Sequence, residues 1–258
     1  MIAVVQLGMV DYTMGLELQQ SLVELRKAEK ISDTMLLLEH PGVITLGRNA
    51  KRQHVLASEE LLKSRGVAVV ECDRGGDVTF HGPGQLVGYP IFDLRAFTTT
   101  DGQRKTLGAV DYVRRLEEVL IRTCAEFSVA AGRIPGVTGV WTEGPHPAKV
   151  AAIGVHISRG VTSHGFALNV STDMESFELI VPCGLKEKSV TSLNRETSRT
   201  LDMQEVCESV TRNFGRVFQR QIVWVDTLDA LLGRAVDVPM KAPEAERRIA
   251  GEEQTFQG

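Results

Sequence analysis

Two residues with reactive side chains stand in settings that packing alone does not require. Cys183 lies between Pro182 and Gly184 in "ELIVPCGL", and Lys149 opens the apolar run "KVAAIGV". A buried packing cysteine rarely needs a Pro-Cys-Gly turn. A turn after a strand exposes the thiol and leaves nearby N–H groups free, which favours the thiolate, the nucleophilic form. Such a nucleophile needs a base, and no local pattern identifies one. Lys149 has two readings. The ordinary one is a solvated strand end. The other is a lysine held in a pocket, where it can exchange protons.

A third stretch, "RGGDVTFHGPGQLVGYPI" from Arg74 to Ile91, holds five glycines, two prolines and one histidine between strand-like residues. Glycines permit left-handed backbone and close approach of the chain to a ligand. The stretch has neither GxxxxGK[ST] nor a GxGxxG that opens a helix, so it is not a recognisable phosphate loop. It suits the wall of a site for a long thin ligand, with amide groups aimed at a polar head. His81 is then either a hydrogen-bond donor or a core hinge residue. Gly165-Phe166-Ala167 has the same character of pocket wall.

The remaining candidates read as structural. Cys124 and Cys207 fall on or beside the apolar faces of helices, and Cys72 falls in the strand-like "VAVVECD". The four cysteines form no CxxC pair, which argues against a zinc site or disulfide framework and for a reduced, intracellular chain. His156 and His164 are expected in or beside turns, without metal-ligand spacing. No metal site is expected.

Behind these residues stands an ordinary globular composition: 258 residues, 43% hydrophobic and 24% charged, with a formal net charge of −4. Nothing in it calls for a nucleic-acid partner. The opening "MIAVVQLGMVDY" lacks a basic start and a cleavage site. No apolar run reaches the ~18 residues that span a bilayer. A cytoplasmic protein with no membrane association is expected.

The elements that must position the candidates can be read from period and punctuation. "IAVVQLG" reads as a strand and "DYTMGLELQQSLVELRKAEK" as a helix, with Leu18, Leu22 and Leu25 on one face. "DTMLLLEHPGVITLGR" reads as two short buried strands joined at His40–Gly42. Ser58 caps a short helix that stops at Gly66, and "VAVVECD" is a strand. Two long helices are marked by Val113, Leu116, Leu120, Cys124 and Phe127, and by Val206, Val210, Phe214, Val217 and Phe218. Between them "TGVWTEGPHPAKVAAIGVHISRGVTSHGFALNVS" reads as three strands with two turns, and "QIVWV" is a last strand. The irregular alternation predicts an α+β fold: a mixed, largely antiparallel sheet flanked by helices. Residues 1–235 are expected to form one catalytic domain and 236–258 a polar, frayed tail.

Taken together, "RGGDVTFHGPGQLVGYP", "KVAAIGVHISRGVTSHGFALNV" and "VPCGL" resemble the octanoyltransferase family that makes protein-bound lipoate, the lipoyl(octanoyl) transferases. The likeness covers roughly residues 1–225, with shorter echoes in "HPGVITLGR" and "TGVW". His156 stands where the family often has arginine. The resemblance implies the α+β fold of the lipoate and biotin protein ligases. It implies Cys183 as the acyl-thioester nucleophile and Lys149, 34 residues earlier (183 − 149 = 34), as its partner. It puts Arg74, Gly75, Gly76, Asp77, Val78, Thr79, Phe80 and His81 in one substrate-binding segment. Ala152, Ile153 and Gly154 form the second, and Gly165, Phe166 and Ala167 the third, around a narrow acyl tunnel with His81 near the reacting carbonyl. Backbone N–H groups near Cys183 or in the Gly82–Gly84 turn are candidates for holding the oxyanion. The implied donor is octanoyl-acyl carrier protein. The implied acceptors are lipoyl domains of 2-oxoacid dehydrogenase E2 subunits and the glycine cleavage H protein. The enzyme is expected to be a monomer and to need no ATP, metal or other cofactor. The alternative is an ATP-dependent lipoate-protein ligase of the same fold. It needs no cysteine nucleophile.

Overall fold

In strand β2, Asp33–Glu39, Met35 and Leu37 enter one apolar cluster while Leu36 and Leu38 enter another. Adjacent side chains of a strand point to opposite faces, so this strand is covered on both sides. The same division runs through β6, Gln85–Ile91, where Leu86 parts from Val87 and Tyr89. It recurs in β10, Val161–Asn169, where Phe166 and Leu168 part from Ala167. The sheet is therefore the middle layer of three. The computed structural model describes residues 1–97, 106–181 and 189–232. Cys183 and the stretch from residue 236 onward lie outside the described residues.

The main sheet has eight strands in the order β11-β1-β2-β6-β10-β9-β8-β7. Here β1 is Ile2–Met9, β7 Ala131–Ile134, β8 Val137–Thr142, β9 Lys149–Ser158 and β11 Ile222–Trp224. β1 runs parallel to both β2 and β11, and every other neighbouring pair is antiparallel. The mixed, largely antiparallel sheet with flanking helices is the α+β architecture expected. One face is covered by α3, Ala109–Glu126, and α5, Met203–Phe218, through Leu116, Leu120, Val210 and Phe214. The other is covered by α1, Tyr12–Lys27, through Leu18 and Leu22. Asp11 starts α1 by accepting from the N–H groups of Thr13 and Met14, a cap that stabilises by about 1 kcal/mol.

A second sheet of three strands has the order β4-β3-β5, with β3 Val43–Leu46, β4 Ala68–Glu71 and β5 Val78–His81. It packs on α2, Glu59–Ser64, and on a 3-10 turn at Met174–Leu179 through Leu62, Phe80 and Phe177. The two strands read on either side of His40–Gly42 thus belong to different sheets. That segment is a crossing between layers, not a hairpin. α4, Leu193–Thr197, and α6, Leu228–Leu232, are the other α-helices among the described residues.

Candidate active site

The seam between the two sheets is where the glycine-rich segment passes from β5 to β6. Upstream of β5, residues Asp73–Asp77 form a loop laid across β9. Gly75 N–H donates to Val155 O at 3.1 Å, and Arg48 and Asn49 N–H donate to Arg74 O and Gly76 O at 3.0 Å each. The loop lies so near β9 that a Cβ on Gly154 would stand 2.7 Å from Gly75 O. Arg74 turns back into the small sheet. Its Nε donates to Thr45 Oγ1 at 3.0 Å, and its Nη2 to Thr45 O at 2.7 Å and Oγ1 at 2.8 Å. Only a planar fork reaches both oxygens in this way. Asp77 accepts from His54 Nδ1 at 2.6 Å, and Asp73 accepts from His164 Nε2 at 2.7 Å.

Between this loop and strands β6, β9 and β10 lies a cleft with about 480 Å³ of empty space, its open mouth included. Its walls include Arg74, Gly75, Gly76, Asp77, Thr79 and His81 from the first expected segment. Ala152–Gly154 come from the second and Gly165–Ala167 from the third. Val78 and Phe80 do not join them. Both side chains enter the core of the small sheet beside Ile44 and Phe177, as strand alternation requires when Thr79 and His81 face the cleft. A smaller cavity adjoins the cleft, and Thr79, Ala152 and Ala167 line both. Lys149 lines the smaller one and is 7% exposed, so it is not a solvated strand end. Its Nζ sits 4.8 Å from the centre of the Trp141 ring. Gly139 leaves room for it, since a Cβ there would lie 3.3 Å from Lys149 Cε and 2.8 Å from Ala151 O. The Lys149 backbone exchanges hydrogen bonds with Ser189 O and Thr191 N. The described chain resumes at that segment after residue 188.

The cleft also contains residues that sequence reasoning passed over: Tyr12, Val87, Tyr89 and His164. The Tyr12 hydroxyl is buried without a hydrogen-bond partner among the described residues, and its ring stacks on His81 at 5.8 Å. His40, read as part of a turn, is fully buried. Its Nδ1 meets Val10 O and its Nε2 meets the Tyr89 hydroxyl, both at 2.6 Å. A carbonyl only accepts, so Nδ1 carries the proton and Tyr89 donates. Burial pushes His40 down to about 4. Burial, helped by His40 and Arg74 nearby, pushes His81 down to about 3. Both rings are neutral at pH 7. Burial pushes the phenols of Tyr12 and Tyr89 up, so both keep their protons.

His156 and His164 are not turn residues. They lie in the paired strands β9 and β10, where His164 keeps a left-handed φ of 54°. Both contact Asp73, His156 Nδ1 at 3.3 Å from Oδ2. Burial lowers His164 despite the Asp73 hydrogen bond. Among the described residues no group of three His, Cys, Asp or Glu side chains could hold a metal ion. No helix there is long and apolar enough to cross a membrane. The Gly82–Gly84 turn is a poorer oxyanion candidate than it looked. Pro83 has no N–H, and Gly84 N–H already donates to Glu39 Oε2 at 2.6 Å.

The lipoyl protein ligase A/B catalytic domain family matches residues 11–215. The octanoyltransferase of Koribacter versatilis is 56% identical over 249 residues, covering 96% of this chain and 97% of that one. The octanoyltransferase of Acidobacterium capsulatum is 57% identical over 231 residues, 88% and 94% of the two chains. The chain belongs to the octanoyltransferase family. The Koribacter match covers 96% of this chain and so reaches past residue 225, where the likeness read from the sequence ended. Solved structures agree on the fold. Lipoate-protein ligase A bound with ATP superposes with a TM-score of 0.68 at 13% identity, over 91% of this octanoyltransferase-family chain and 93% of that chain. A bipartite lipoate protein ligase from Thermoplasma acidophilum gives 0.67 at 13% identity, over 90% and 89%. At such identity the likeness speaks to architecture alone.

Proposed function

We propose that this protein is an acyltransferase that moves an octanoyl group from octanoyl-acyl carrier protein to a lysine of a lipoyl domain, through a thioester on Cys183. The observation that carries this reading is the buried Lys149 beside a cleft walled by three glycine-bearing segments, in a chain of the octanoyltransferase family. The cleft suits a thin apolar chain. Burying an octanoyl tail at ~0.8 kcal/mol per CH2 contributes on the order of 5 kcal/mol, enough to anchor it with no other specific contact.

Cys183 thiolate attacks the donor thioester, the bond from carbonyl carbon to carrier sulfur breaks, and Lys149 ammonium gives a proton to the departing carrier thiolate. The acceptor amine then attacks acyl-Cys183. The C–N bond forms, the C–S bond breaks with Cys183 leaving as thiolate, and the amine's one surplus proton passes to Lys149, which restores the thiolate and ammonium of the first step. A free cysteine of pKa about 8.5 is only a few per cent thiolate at pH 7, so a cation beside it is needed from the start. A cation over an aromatic face gains ~0.5–2 kcal/mol, and Lys149 Nζ lies 4.8 Å from the centre of the Trp141 ring. Thioester to thioester is nearly isoenergetic and thioester to amide runs downhill, so neither ATP nor a metal is required. The acceptors are lipoyl domains of 2-oxoacid dehydrogenase E2 subunits and the glycine cleavage H protein, met in the cytoplasm by a monomer.

The test is a steady-state assay with octanoyl-acyl carrier protein and a lipoyl domain, without nucleotide. Octanoylated lysine and parallel double-reciprocal plots are expected. Product that forms only from free octanoate with ATP would replace this reading with the ligase chemistry.

A further inference from the structure

His81 stands at the end of a chain of hydrogen bonds whose direction is set at its far end. Thr191 O can only accept, so the Asn169 group 2.9 Å from it is the donating Nδ2. Asn169 Oδ1 therefore faces Gln85 and accepts from Gln85 Nε2 at 2.9 Å. Gln85 Nε2 also donates to Phe80 O at 3.2 Å, which fixes the same orientation of the amide independently. Gln85 Oε1 is then the atom 2.7 Å from His81 Nδ1, and an amide oxygen only accepts, so Nδ1 carries the imidazole proton. The ring is neutral, which leaves Nε2 as a bare lone pair. All four residues are buried, with Asn169 at 4%, Gln85 at 2%, His81 at 6% and Thr191 at 4% exposure. Water therefore does not compete to reverse the order. The direction starts at Thr191, in the segment hydrogen-bonded to the Lys149 backbone.

A nitrogen in this state cannot donate to a carbonyl oxygen or an oxyanion. His81 does donate, but through Nδ1 to Gln85, so the atom left over can only accept. Among the groups that must enter the cleft in the proposed reaction, the acyl tail offers nothing to an acceptor and the carbonyl offers another acceptor. The attacking amine offers N–H. Its nitrogen gains positive charge as it bonds to the carbonyl carbon, and a hydrogen bond to a charged donor is about twice as strong as a neutral one. An acceptor that stays unprotonated across the working pH range serves this step at any of those pH values.

We propose that His81 Nε2 is the hydrogen-bond acceptor that orients the N–H of the acceptor lysine during discharge of the acyl-enzyme, with Gln85 and Asn169 as the positioning residues that keep Nε2 bare. This rests on the acyl-enzyme reading above. No proton need move to His81: the C–N bond forms, the C–S bond breaks and the amine's proton passes to Lys149 as already described.

The test separates the two half-reactions by intact mass in single turnover. Loading is followed with octanoyl-acyl carrier protein alone and discharge with added lipoyl domain. His81→Ala is expected to slow discharge about 10–100-fold more than it slows loading, the worth of one hydrogen bond to a charged group. Gln85→Leu removes the partner of Nδ1 and lets the ring take the tautomer with the proton on Nε2. It is expected to slow discharge relative to loading to a similar degree. Nitrogen NMR of the wild-type imidazole, which needs no substrate, is expected to show His81 with Nδ1 protonated and Nε2 bare, and the reverse in Gln85→Leu. Normal discharge in His81→Ala, or a protonated Nε2 in the wild type, overturns the proposal. So does an equal fall in loading and discharge. Wild-type protein that never loads would instead sink the acyl-enzyme reading, whatever the NMR shows.

Discussion

Gly154→Ala replaces one hydrogen with a methyl at the point where the Asp73–Asp77 loop crosses β9. The new Cβ would stand 2.7 Å from Gly75 O, 3.4 Å from Arg74 Cδ and 3.8 Å from Arg74 Nη1. Ordinary contact begins at 3.4 Å, so the carbonyl must retreat by 3.4 − 2.7 = 0.7 Å. Gly75 is also the residue whose N–H bonds to Val155 O at 3.1 Å, and a retreat of that size strains or breaks this bond. Overpacking of this kind costs ~1–3 kcal/mol, and the hydrogen bond accounts for about 0.5–1.5 kcal/mol of it. For a domain of this size each kcal/mol shifts Tm by roughly 2–4 °C, so the expected loss is about 2–12 °C. The cleft wall moves with the loop, so KM for the acyl donor should rise more than kcat falls. Thermal unfolding followed by circular dichroism, beside transfer kinetics, reads both effects. An unchanged Tm with unchanged KM would refute the contact between loop and strand.

Arg74→Lys keeps the charge and loses the fork on Thr45, so KM should rise several-fold in the transfer assay with β-sheet content unchanged. His40 and His81 are held neutral, to about 4 and about 3, against 6.5 when free. The unfolded chain therefore binds more protons below pH 6.5, and stability present above pH 6.5 is lost as pH falls toward those values. At pH 5 the loss is about 1.36 × 1.5, roughly 2 kcal/mol for each histidine, and urea midpoints at pH 7 and pH 5 measure it. Cys124 and Cys207 are fully buried, and burial pushes both thiols up to about 12. In the folded protein at pH 8 both should resist a thiol reagent that labels them after unfolding, and Cys124→Ala and Cys207→Ala should leave transfer intact.

The helices were legible because α3 and α5 repeat apolar residues every three or four positions over four turns, a signal no strand imitates. The three walls of the cleft were legible for a different reason, since glycines amid strand residues mark close approach of chains. Strand alternation, applied to Val78–His81, would also have sorted Thr79 and His81 from Val78 and Phe80. Other features had no local signal. "TMLLLE" and "VITL" look alike as short buried strands, yet they lie in different sheets, and only long-range pairing decides that. β11 joins β1 in parallel across more than two hundred residues. The states of His40 and His81 depend on Val10, Tyr89, Gln85, Asn169 and Thr191, which the fold gathers from four separate segments. A lysine at the mouth of a strand reads as solvated until the neighbouring Trp141 and Gly139 are seen to enclose it.

The central claim is a thioester on Cys183. Its most direct test is intact-protein mass spectrometry after mixing with octanoyl-acyl carrier protein alone, with Cys183→Ala beside the wild type. The account predicts one octanoyl adduct on the wild type, labile to hydroxylamine and discharged by a lipoyl domain, and none on the variant. An adduct of equal yield on Cys183→Ala, or full transfer by that variant, would contradict it.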